Sequence, residues 1–468
     1  MISKRGVRPD RVRKFAIAAV LVSIAAMLGC GGGMGSTSTA AAAASQIKIG
    51  DAPADRVVSF EVGVGPITMK PNSGSAVTVL SRSSRIELSH LSGTNEPLAL
   101  LNVPQGSYTS ISLTLTNPEV TFLNSLGAVV KIEPTLSQVV TINFNPALAV
   151  GNGASVVNID LSIANSLNFD AQGNVTGVNF SASSFAVSTS AVAGETQEQA
   201  ENGELEDTTG TVTNVSGTSF TMTVGQNGVS LTFTTDANTE FKDGATLATI
   251  MNTVVNVEGR TLADGTLYAK EVEGIENESG TELEGVVNQV TGNPATQLSI
   301  VAQDGSGSGM NDSNVGNVTV IDVTGSQYSV EQGDVDTSGI GGLPASPNFP
   351  FDATTVHAGQ RVEVESSSTM SGTSLIADKV KLRQQGLTGT VSGLSVPTSA
   401  GPVQFTLTVA SDSAFAMLSG QTTVTVFWQP GTELHNLASV KNGDTVRVRG
   451  LVFFTGTSFN LIAKRIGQ

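Results

Sequence analysis

Apolar and polar residues alternate along most of the chain beyond residue 56, which is the pattern of strands with one buried face. Between residues 47 and 190 the alternating runs are short and are separated by Gly, Pro, Asn and Asp. Such runs with turn residues between them predict a β-sandwich. The main runs lie at 57–64, 86–91, 98–103, 111–115, 129–132, 139–144, 156–161 and 178–187.

The second half of the chain repeats one four-part pattern three times, which indicates tandem modules. Each copy opens on a Gly within an apolar strand, continues with two alternating strands and closes on Ala-x-x-Val or Ala-x-x-Ile. The closing parts are Ala269-Lys270-Glu271-Val272, Ala377-Asp378-Lys379-Val380 and Ala463-Lys464-Arg465-Ile466. Because about five short strands must close on themselves to protect their edges, we predict three small OB-like β-barrels. The first repeat spans 205–275, the second 281–384 with an insertion, and the third 386–468.

The start of the chain has the features of a secretory signal. Six basic residues precede an apolar run at 15–28, which is too short to span a bilayer. Met27-Leu28-Gly29-Cys30 then resembles the bacterial lipobox, in which the Cys is acylated after cleavage, although Met27 replaces the usual Leu. We therefore predict a signal peptide at 1–29 and lipidation of Cys30; the alternative is an ordinary signal with an incidental Cys. Gly31 after the Cys resembles the pattern of lipoproteins sorted to the outer membrane.

Two segments of biased composition are predicted to separate the modules. Residues 30–46 are mostly Gly, Ser, Thr and Ala and read as a flexible tether that carries the lipid. Residues 191–204 contain Glu without any basic residue and read as an acidic, solvated linker. The folded modules would thus be a sandwich at 47–190 followed by the three repeats.

Local motifs connect both parts with known families. Asp51-Ala52-Pro53 near the start of the sandwich and Pro104-Gln105-Gly106-Ser107-Tyr108 before a later strand resemble a bacterial lipoprotein domain, the domain of unknown function 4382. The resemblance implies a transthyretin-like or related sandwich. The three repeats resemble the domain of unknown function 5666, which occurs in tandem on exported proteins. Neither resemblance implies an activity.

Composition excludes some classes of function. The formal net charge is −16 and Asp and Glu outnumber Lys and Arg by 40 to 24, so a nucleic-acid partner is not expected. Cys30 is the one Cys in the sequence, so no disulfide can form within the chain. Three His residues, His90, His357 and His435, lie in different modules and form no zinc motif.

The best metal candidate lies in the insertion of the second repeat. Asp334, Asp336 and Ser338 offer oxygen ligands at alternate positions, and Gly339 follows as the sixth residue, as in the first half of a calcium loop. The twelfth position is Ala345, which cannot supply the bidentate carboxylate that such loops use. The preferred interpretation is that these residues form turns in a loop rich in Gly and Pro.

No pattern points to catalysis. Gly305-Ser306-Gly307-Ser308-Gly309 does not fit the G-x-S-x-G elbow of hydrolases, and no strand-then-helix context surrounds it. Phe427-Trp428 could form an apolar sugar-binding patch, but core packing is the preferred interpretation because adjacent strand residues point to opposite faces.

The sequence therefore predicts a lipid-anchored protein of the bacterial cell envelope that acts as a non-enzymatic structural or interaction module without a cofactor. It would lie at the outer membrane through its lipid, with a protein or glycan partner on the cell surface. A carbohydrate- or calcium-binding surface protein is the alternative, and an enzyme of unrecognised design ranks below it.

Overall fold

The computed structural model describes residues 42–52, 56–91, 95–151, 155–191, 204–224, 229–242, 244–262, 264–274, 280–307, 309–310, 312–331, 335, 349–395, 403–435 and 437–467. Residues 41–468 form one compact unit. This unit is all-β, as predicted from the alternation, with one short α-helix among the described residues.

The N-terminal module consists of two sheets around a shared core. Its strands are β1 (Ala42–Ala52), β2 (Val57–Pro71), β3 (Val77–Leu80), β4 (Ser84–Glu87), β5 (Asn95–Pro104), β6 (Gly106–Leu123), β7 (Val129–Ile132), β8 (Ser137–Val150), β9 (Ser155–Ser162), β10 (Leu167–Phe169), β11 (Val175–Val178) and β12 (Phe185–Ala191). One sheet has the order β12-β9-β1-β5, and the other has β3-β2-β6-β7 with β4 paired to β2 and β8 to β6. Strands β10 and β11 form a separate hairpin, and three single 3-10 turns lie at Ser89–Leu91, Ala164–Ser166 and Ala182–Ser184. Strand β1 begins at Ala42, so residues 42–46 of the segment predicted as a tether belong to this strand.

The core of the sandwich explains the alternation of its strands. Phe60, Val62 and Val64 of β2 pack with residues of β6 and β9, and each of the three is fully buried. Because successive side chains of a strand point to opposite faces, one face of each strand meets the other sheet.

The three repeats have the same strand order. The strands of the first are β13 (Glu204–Ser216), β14 (Ser219–Val224), β15 (Val229–Thr234), β16 (Glu240–Lys242), β17 (Val254–Thr261) and β18 (Leu267–Gly274). Those of the second are β19 (Thr281–Gly292), β20 (Ala295–Gly307), β21 (Val318–Asp322), β22 (Gln327–Val330), β23 (Arg361–Ser366), β24 (Ser374–Ile376) and β25 (Lys379–Leu382), with a 3-10 turn at Asp312–Asn314. The third has β26 (Gln385–Ser392), β27 (Val403–Val409), helix α1 (Ala414–Ser419), β28 (Thr423–His435), β29 (Thr445–Phe454) and β30 (Phe459–Gly467).

The third repeat is a closed barrel with the order β26-β27-β28-β30-β29. In the first repeat, β15 pairs in parallel with β18, as β28 pairs with β30 in the third repeat. This pairing connects the two sides of the sheet. In the second, the parallel pairing of β21 with β24 occupies the same place, and the ladder is interrupted between β24 and β25. All three thus follow the five-stranded arrangement of a small Greek-key barrel.

A Gly in the first strand of each repeat permits close contact with the second strand. A Cβ at Gly210, Gly285 or Gly389 would lie 2.6, 2.0 or 2.5 Å from a carbonyl oxygen of that strand. The opening Gly of the repeated pattern is therefore required by the approach of the two backbones.

A hydroxyl-to-carbonyl hydrogen bond also recurs at the closing Ala of each repeat. The donors are Thr239, Ser326 and Thr432, and the acceptors are the carbonyl oxygens of Ala269, Ala377 and Ala463, at 2.7, 2.8 and 2.7 Å respectively. Each bond connects the closing Ala to a segment that lies 30 to 51 residues earlier in the same repeat.

The modules differ in how they share their cores. Leu451, Phe453 and Ile462 of the third repeat belong to the core of the second repeat. Val58 and Leu123 of the sandwich pack with Val301 of the second repeat, and α1 of the third repeat packs against them. By contrast, the described core of the first repeat consists of its own residues.

Candidate functional site between the first two repeats

Charged residues of the second repeat form an outward-facing array because its strands alternate. On β23, Val362 and Val364 enter the core, so Arg361 and Glu363 point out of the barrel. On β25, Val380 and Leu382 are likewise buried in the core, which turns Lys379 and Lys381 outward. Glu363 lies directly opposite Lys381 and Glu365 opposite Lys379 in the β23–β25 ladder. The arrangement puts opposite charges on neighbouring strands.

Strands of the first repeat cover this array and leave a cleft of about 250 Å³. Its lining includes acidic and basic groups from both repeats. The first repeat contributes Lys242, Asn256, Glu258, Glu271 and Glu273, and the second contributes Ser329, Val330, Glu331, Lys379, Lys381 and Arg383. The cleft is therefore a polar space between two modules.

Arg383 is the centre of the ionic network. Its side chain is only 2% exposed, and its Nε lies 3.1 Å from Glu284. Its Nη1 lies 3.2 Å from Glu331 and 3.3 Å from Glu363. Glu284 also pairs with Arg361 at 2.8 Å. Buried charges of this kind require such partners, because an isolated ion loses several kcal/mol of hydration.

Lys381 connects the network to the first repeat. Its Nζ lies 2.5 Å from an oxygen of Glu273 in β18 and 3.3 Å from an oxygen of Glu363 in β23. The other lysines of the cleft pair within their own repeat, Lys242 with Glu271 at 2.6 Å and Lys379 with Glu365 at 2.8 Å. Lys381 thus contacts carboxylates of both repeats.

The network shifts the pKa of several of its members. Burial raises the pKa of Glu363 to about 7, against the opposing effects of Arg383 and Lys381, and the charges of Glu284 and Glu273 add to the rise. Burial and the nearby charge of Glu363 also raise the pKa of Glu282 well above its ordinary value. Burial alone would lower the pKa of Lys381, but the carboxylates of Glu363 and Glu273 raise it. The site can therefore take up or release a proton near neutral pH.

A second polar junction joins the sandwich to the second and third repeats. The 3-10 turn at Ser89–Leu91 receives Gln303, whose Nε2 donates to Val58 O at 2.7 Å and to Ser89 Oγ at 3.0 Å. Arg449 of the third repeat donates to His90 O at 3.3 Å. Residues of all three modules line a cavity of about 130 Å³ beside this turn.

Glu87, the last residue of β4, accepts hydrogen bonds beside this turn. Its carboxylate accepts from the backbone of Phe60 at 2.8 Å and contacts Nδ1 of His90 at 2.9 Å. Burial favours the neutral carboxyl, but the hydrogen bonds and the charge of His90 outweigh it and lower the pKa of Glu87. Ser89 Oγ donates to Glu87 rather than to His90, so the three residues are not ordered as a nucleophile, base and orienting acid.

The residues predicted as special sites lie outside the described residues. They are the lipidation site Cys30 and the calcium candidates Asp334, Asp336 and Ser338. Among the described residues, no group of three or more His, Cys, Asp or Glu side chains is placed to hold a metal ion. The helices in that same part of the chain include none with the length and apolar character to cross a membrane.

The aromatic residues Phe427 and Trp428 of the third repeat pack against two different cores. Trp428 lies against the core of its own barrel, whereas Phe427 lies against the core of the second repeat. The preferred interpretation, core packing, agrees with both positions. Phe349 of the second repeat meets Phe427 edge to face, with ring centroids 5.2 Å apart.

The sequence analysis did not predict the ionic site, although its charged residues alternate with apolar ones along two strands. Arg361-Val362-Glu363 and Lys379-Val380-Lys381 read as strands with a buried apolar face and a solvated charged face. A signal was present in the run of opposite charges on strands that the repeat pattern makes neighbours. The pattern does not show that the first repeat covers this charged face.

Two segments match known families. Residues 42–176 match the family described as Domain of unknown function (DUF4382), and residues 209–273 match the one described as Domain of unknown function (DUF5666). Both resemblances noted in the sequence are thereby confirmed for these ranges, the second for the first repeat. Neither description names an activity.

Other comparisons add nothing about function. No curated protein matches the chain. A solved structure of a glycoside hydrolase family 32 protein from Bifidobacterium adolescentis aligns with 90% of this chain at 7% identity, with a TM-score of 0.09. The chain spans 66% of the length of that protein. A score this low carries no argument about the fold.

Proposed function

We propose that the chain is a lipid-anchored protein of the bacterial cell envelope that acts as a structural and interaction module rather than as an enzyme. The observation that carries the proposal is the way in which the sandwich, the second repeat and the third repeat pack together. Val58 of the sandwich and Val301 of the second repeat are buried together, and partly buried apolar residues of α1 in the third repeat pack against them. Buried polar contacts reinforce this packing, such as Thr121 Oγ1 to Gly316 O at 2.7 Å. A rigid body of this kind suits a scaffold.

The charged cleft supports the same proposal. Its lysines and Arg383 contact carboxylates of the protein itself at 2.5 to 3.3 Å. Lys381 and Glu273 join the two repeats, and the other cations are neutralised within their own repeat, whereas a catalytic acid or base has to reach a substrate. The cleft is therefore assigned to the joining of modules.

The second and third repeats are proposed as further copies of the domain that residues 209–273 match. Their support is the shared strand order and the recurrent hydroxyl-to-Ala bond. The close-packed Gly of the first strand recurs as well. Three copies of one small barrel in tandem give an extended surface of related modules.

Lipidation at Cys30 is the proposed means of anchoring, and its support is the resemblance of Met27-Leu28-Gly29-Cys30 to a lipobox. The test is expression of the full chain in a diderm bacterium, with mass spectrometry of the N-terminal peptide and separation of inner and outer membranes. We expect acyl chains on Cys30 and recovery in the outer-membrane fraction. Cys30→Ala should release the protein from the membrane, because no acyl chain can be attached to Ala.

Ser36→Ala is the matched control, since it changes a neighbouring small residue and leaves Cys30 in place. It should remain acylated and membrane-bound. An unmodified N-terminal peptide in the native protein, or a Cys30→Ala protein that stays in the membrane, would contradict the anchor. The protein would then have to be sought as a secreted binding module.

A further inference from the structure

The joint between the first and second repeats differs in kind from the other joints. The sandwich, second repeat and third repeat share apolar cores, whereas the described core of the first repeat is its own. What meets across the first joint is the charged cleft of about 250 Å³. A joint that has the Lys381–Glu273 ion pair beside open space responds to charge, because a change in ionisation alters its interaction energy directly.

Lys381 forms an ion pair across this joint. Its side chain is 8% exposed, and its ammonium lies 2.5 Å from Glu273 of the first repeat and 3.3 Å from Glu363 of the second. When both carboxylates are ionised, one cation serves two anions that repel each other across the joint. When Glu363 is neutral, the attraction between Lys381 and Glu273 is no longer opposed by that repulsion.

The surroundings of Glu363 determine when it ionises, and charged groups of both repeats contribute. On β25 it faces Lys381 and Arg383, on β19 Glu284 and Glu282, and on β18 Glu273. Its own strand carries Arg361 and Glu365, and Glu331 after β22 shares Arg383. Burial is the main cause that opposes ionisation of Glu363. Arg383 and Lys381 favour its ionisation, and the charges of Glu284 and Glu273 oppose it.

We propose that this joint is a proton-controlled clamp: the first repeat is held against the second when Glu363 is neutral and is loosened when Glu363 becomes ionised. The pKa of about 7 for Glu363 places the change near neutral pH. The clamp therefore closes in mildly acidic surroundings and opens in alkaline ones. Loosening would expose the charged faces of both repeats, which are otherwise turned toward each other.

The test measures the separation of the two repeats in the full chain. Spin labels are placed at Asn214→Cys on the first repeat and Gln297→Cys on the second, both exposed positions on strands, in a Cys30→Ser background so that no third thiol reacts. Pulsed electron paramagnetic resonance then gives the distribution of distances at pH 6 and pH 8.5. We expect one narrow distribution at pH 6 and a second, longer population at pH 8.5. The ratio of open to closed molecules should change about tenfold for each unit by which closure raises the pKa of Glu363.

Glu363→Gln is the decisive variant, because it keeps the shape of the side chain and remains neutral. It should give the narrow distribution at both pH values. Glu365→Gln is the matched control, since Glu365 lies two residues away on the same strand and pairs with Lys379 inside the second repeat; its pH response should be retained. Near-ultraviolet circular dichroism and the fluorescence of Trp428 verify that each variant is folded.

Two results would overturn the proposal. One is an unchanged narrow distribution at both pH values in the native sequence, which would mean that the joint is rigid. The other is a folded Glu363→Gln protein that still opens at pH 8.5, which would assign the pH response to another group. Because lipidation does not enter this experiment, failure here is independent of the proposed anchor.

Discussion

Phe349 of the second repeat packs against two rings of the third, with its ring centroid 5.2 Å from that of Phe427 and 5.8 Å from that of Phe453. It therefore belongs to two modules at once. Since Trp428 is adjacent to Phe427 and is the one Trp of the sequence, its fluorescence reports on the third repeat.

Phe349→Ala should destabilise the third repeat although the residue lies in the second. Phe349 is buried, and removal of a buried Phe ring costs about 3 kcal/mol or more. We expect the urea midpoint of Trp428 fluorescence to fall. Phe169→Ala on the β10 hairpin, where the ring is 47% exposed, is the matched control and should shift it little. An unchanged midpoint for Phe349→Ala would mean that the two repeats unfold independently.

Thr432→Val should show how much the hydroxyl that recurs in the repeats contributes to the free energy of unfolding. Thr432 Oγ1 donates to Ala463 O and accepts from the backbone of Gln429 at 2.9 Å. Because both partners would be left buried without a hydrogen bond, the free energy of unfolding should fall by about 1 to 3 kcal/mol. Thr239→Val should lower the free energy of unfolding by less, since Thr239 is only half-buried and water can take the place of its hydroxyl as a hydrogen-bond partner. Thr408→Val, on an exposed position of β27, is the control in chemical denaturation.

The opening Gly of the second repeat should not tolerate a methyl group. In Gly285→Ala the new Cβ would lie 2.0 Å from Val301 O and 2.9 Å from Ile300 Cγ2, so the strands must separate. We expect a loss of about 1 to 3 kcal/mol in the free energy of unfolding, or more if the strands cannot move. Gly177→Ala is the control, because its nearest neighbour would be Asn168 Nδ2 at 3.7 Å. Equal thermal midpoints for the two variants would contradict the close packing.

The strands could be predicted from sequence because a period of two is a local property. Phe60, Val62 and Val64 lie where the alternation puts them, and Gly210 and Gly285 occupy equivalent strands as the repeats indicate. The ionic site could not be predicted in the same way. Strand β23 turns Val362 and Val364 toward a core and Glu363 toward Lys381, which contacts the module that precedes it in the chain. Local alternation shows that a strand has two faces, but not what covers the second one.

Stability should depend on pH through the buried carboxyl groups. The pKa of Glu363 is raised to about 7 and that of Glu282 is also raised, so the folded protein binds more protons than the unfolded chain. The stability from Glu363 is complete below its ordinary pKa of 4.5 and is lost as pH rises through 7, up to roughly 3 kcal/mol. Urea unfolding at pH 5.5 and 8.5 should therefore give a higher free energy of unfolding at pH 5.5. Glu363→Gln should reduce the difference, and an equal difference in this variant would assign it to other groups.

Arg383 should be the most sensitive position of the ionic network. Its guanidinium contacts Glu284, Glu331 and Glu363, and Arg383→Met would leave these buried carboxylates without that cation. Removing one partner of a buried pair costs about 3 to 5 kcal/mol, because the remaining charge keeps its desolvation penalty without compensation. Part of the loss should be recovered in Arg383→Met combined with Glu331→Gln, since the second change removes one of the uncompensated charges. Arg383→Lys should also lose stability, because an ammonium lacks the several fixed N–H groups with which the guanidinium reaches three carboxylates. Denaturation at fixed pH compares the four proteins, and a double variant no more stable than Arg383→Met would show that the loss comes from packing rather than from buried charge.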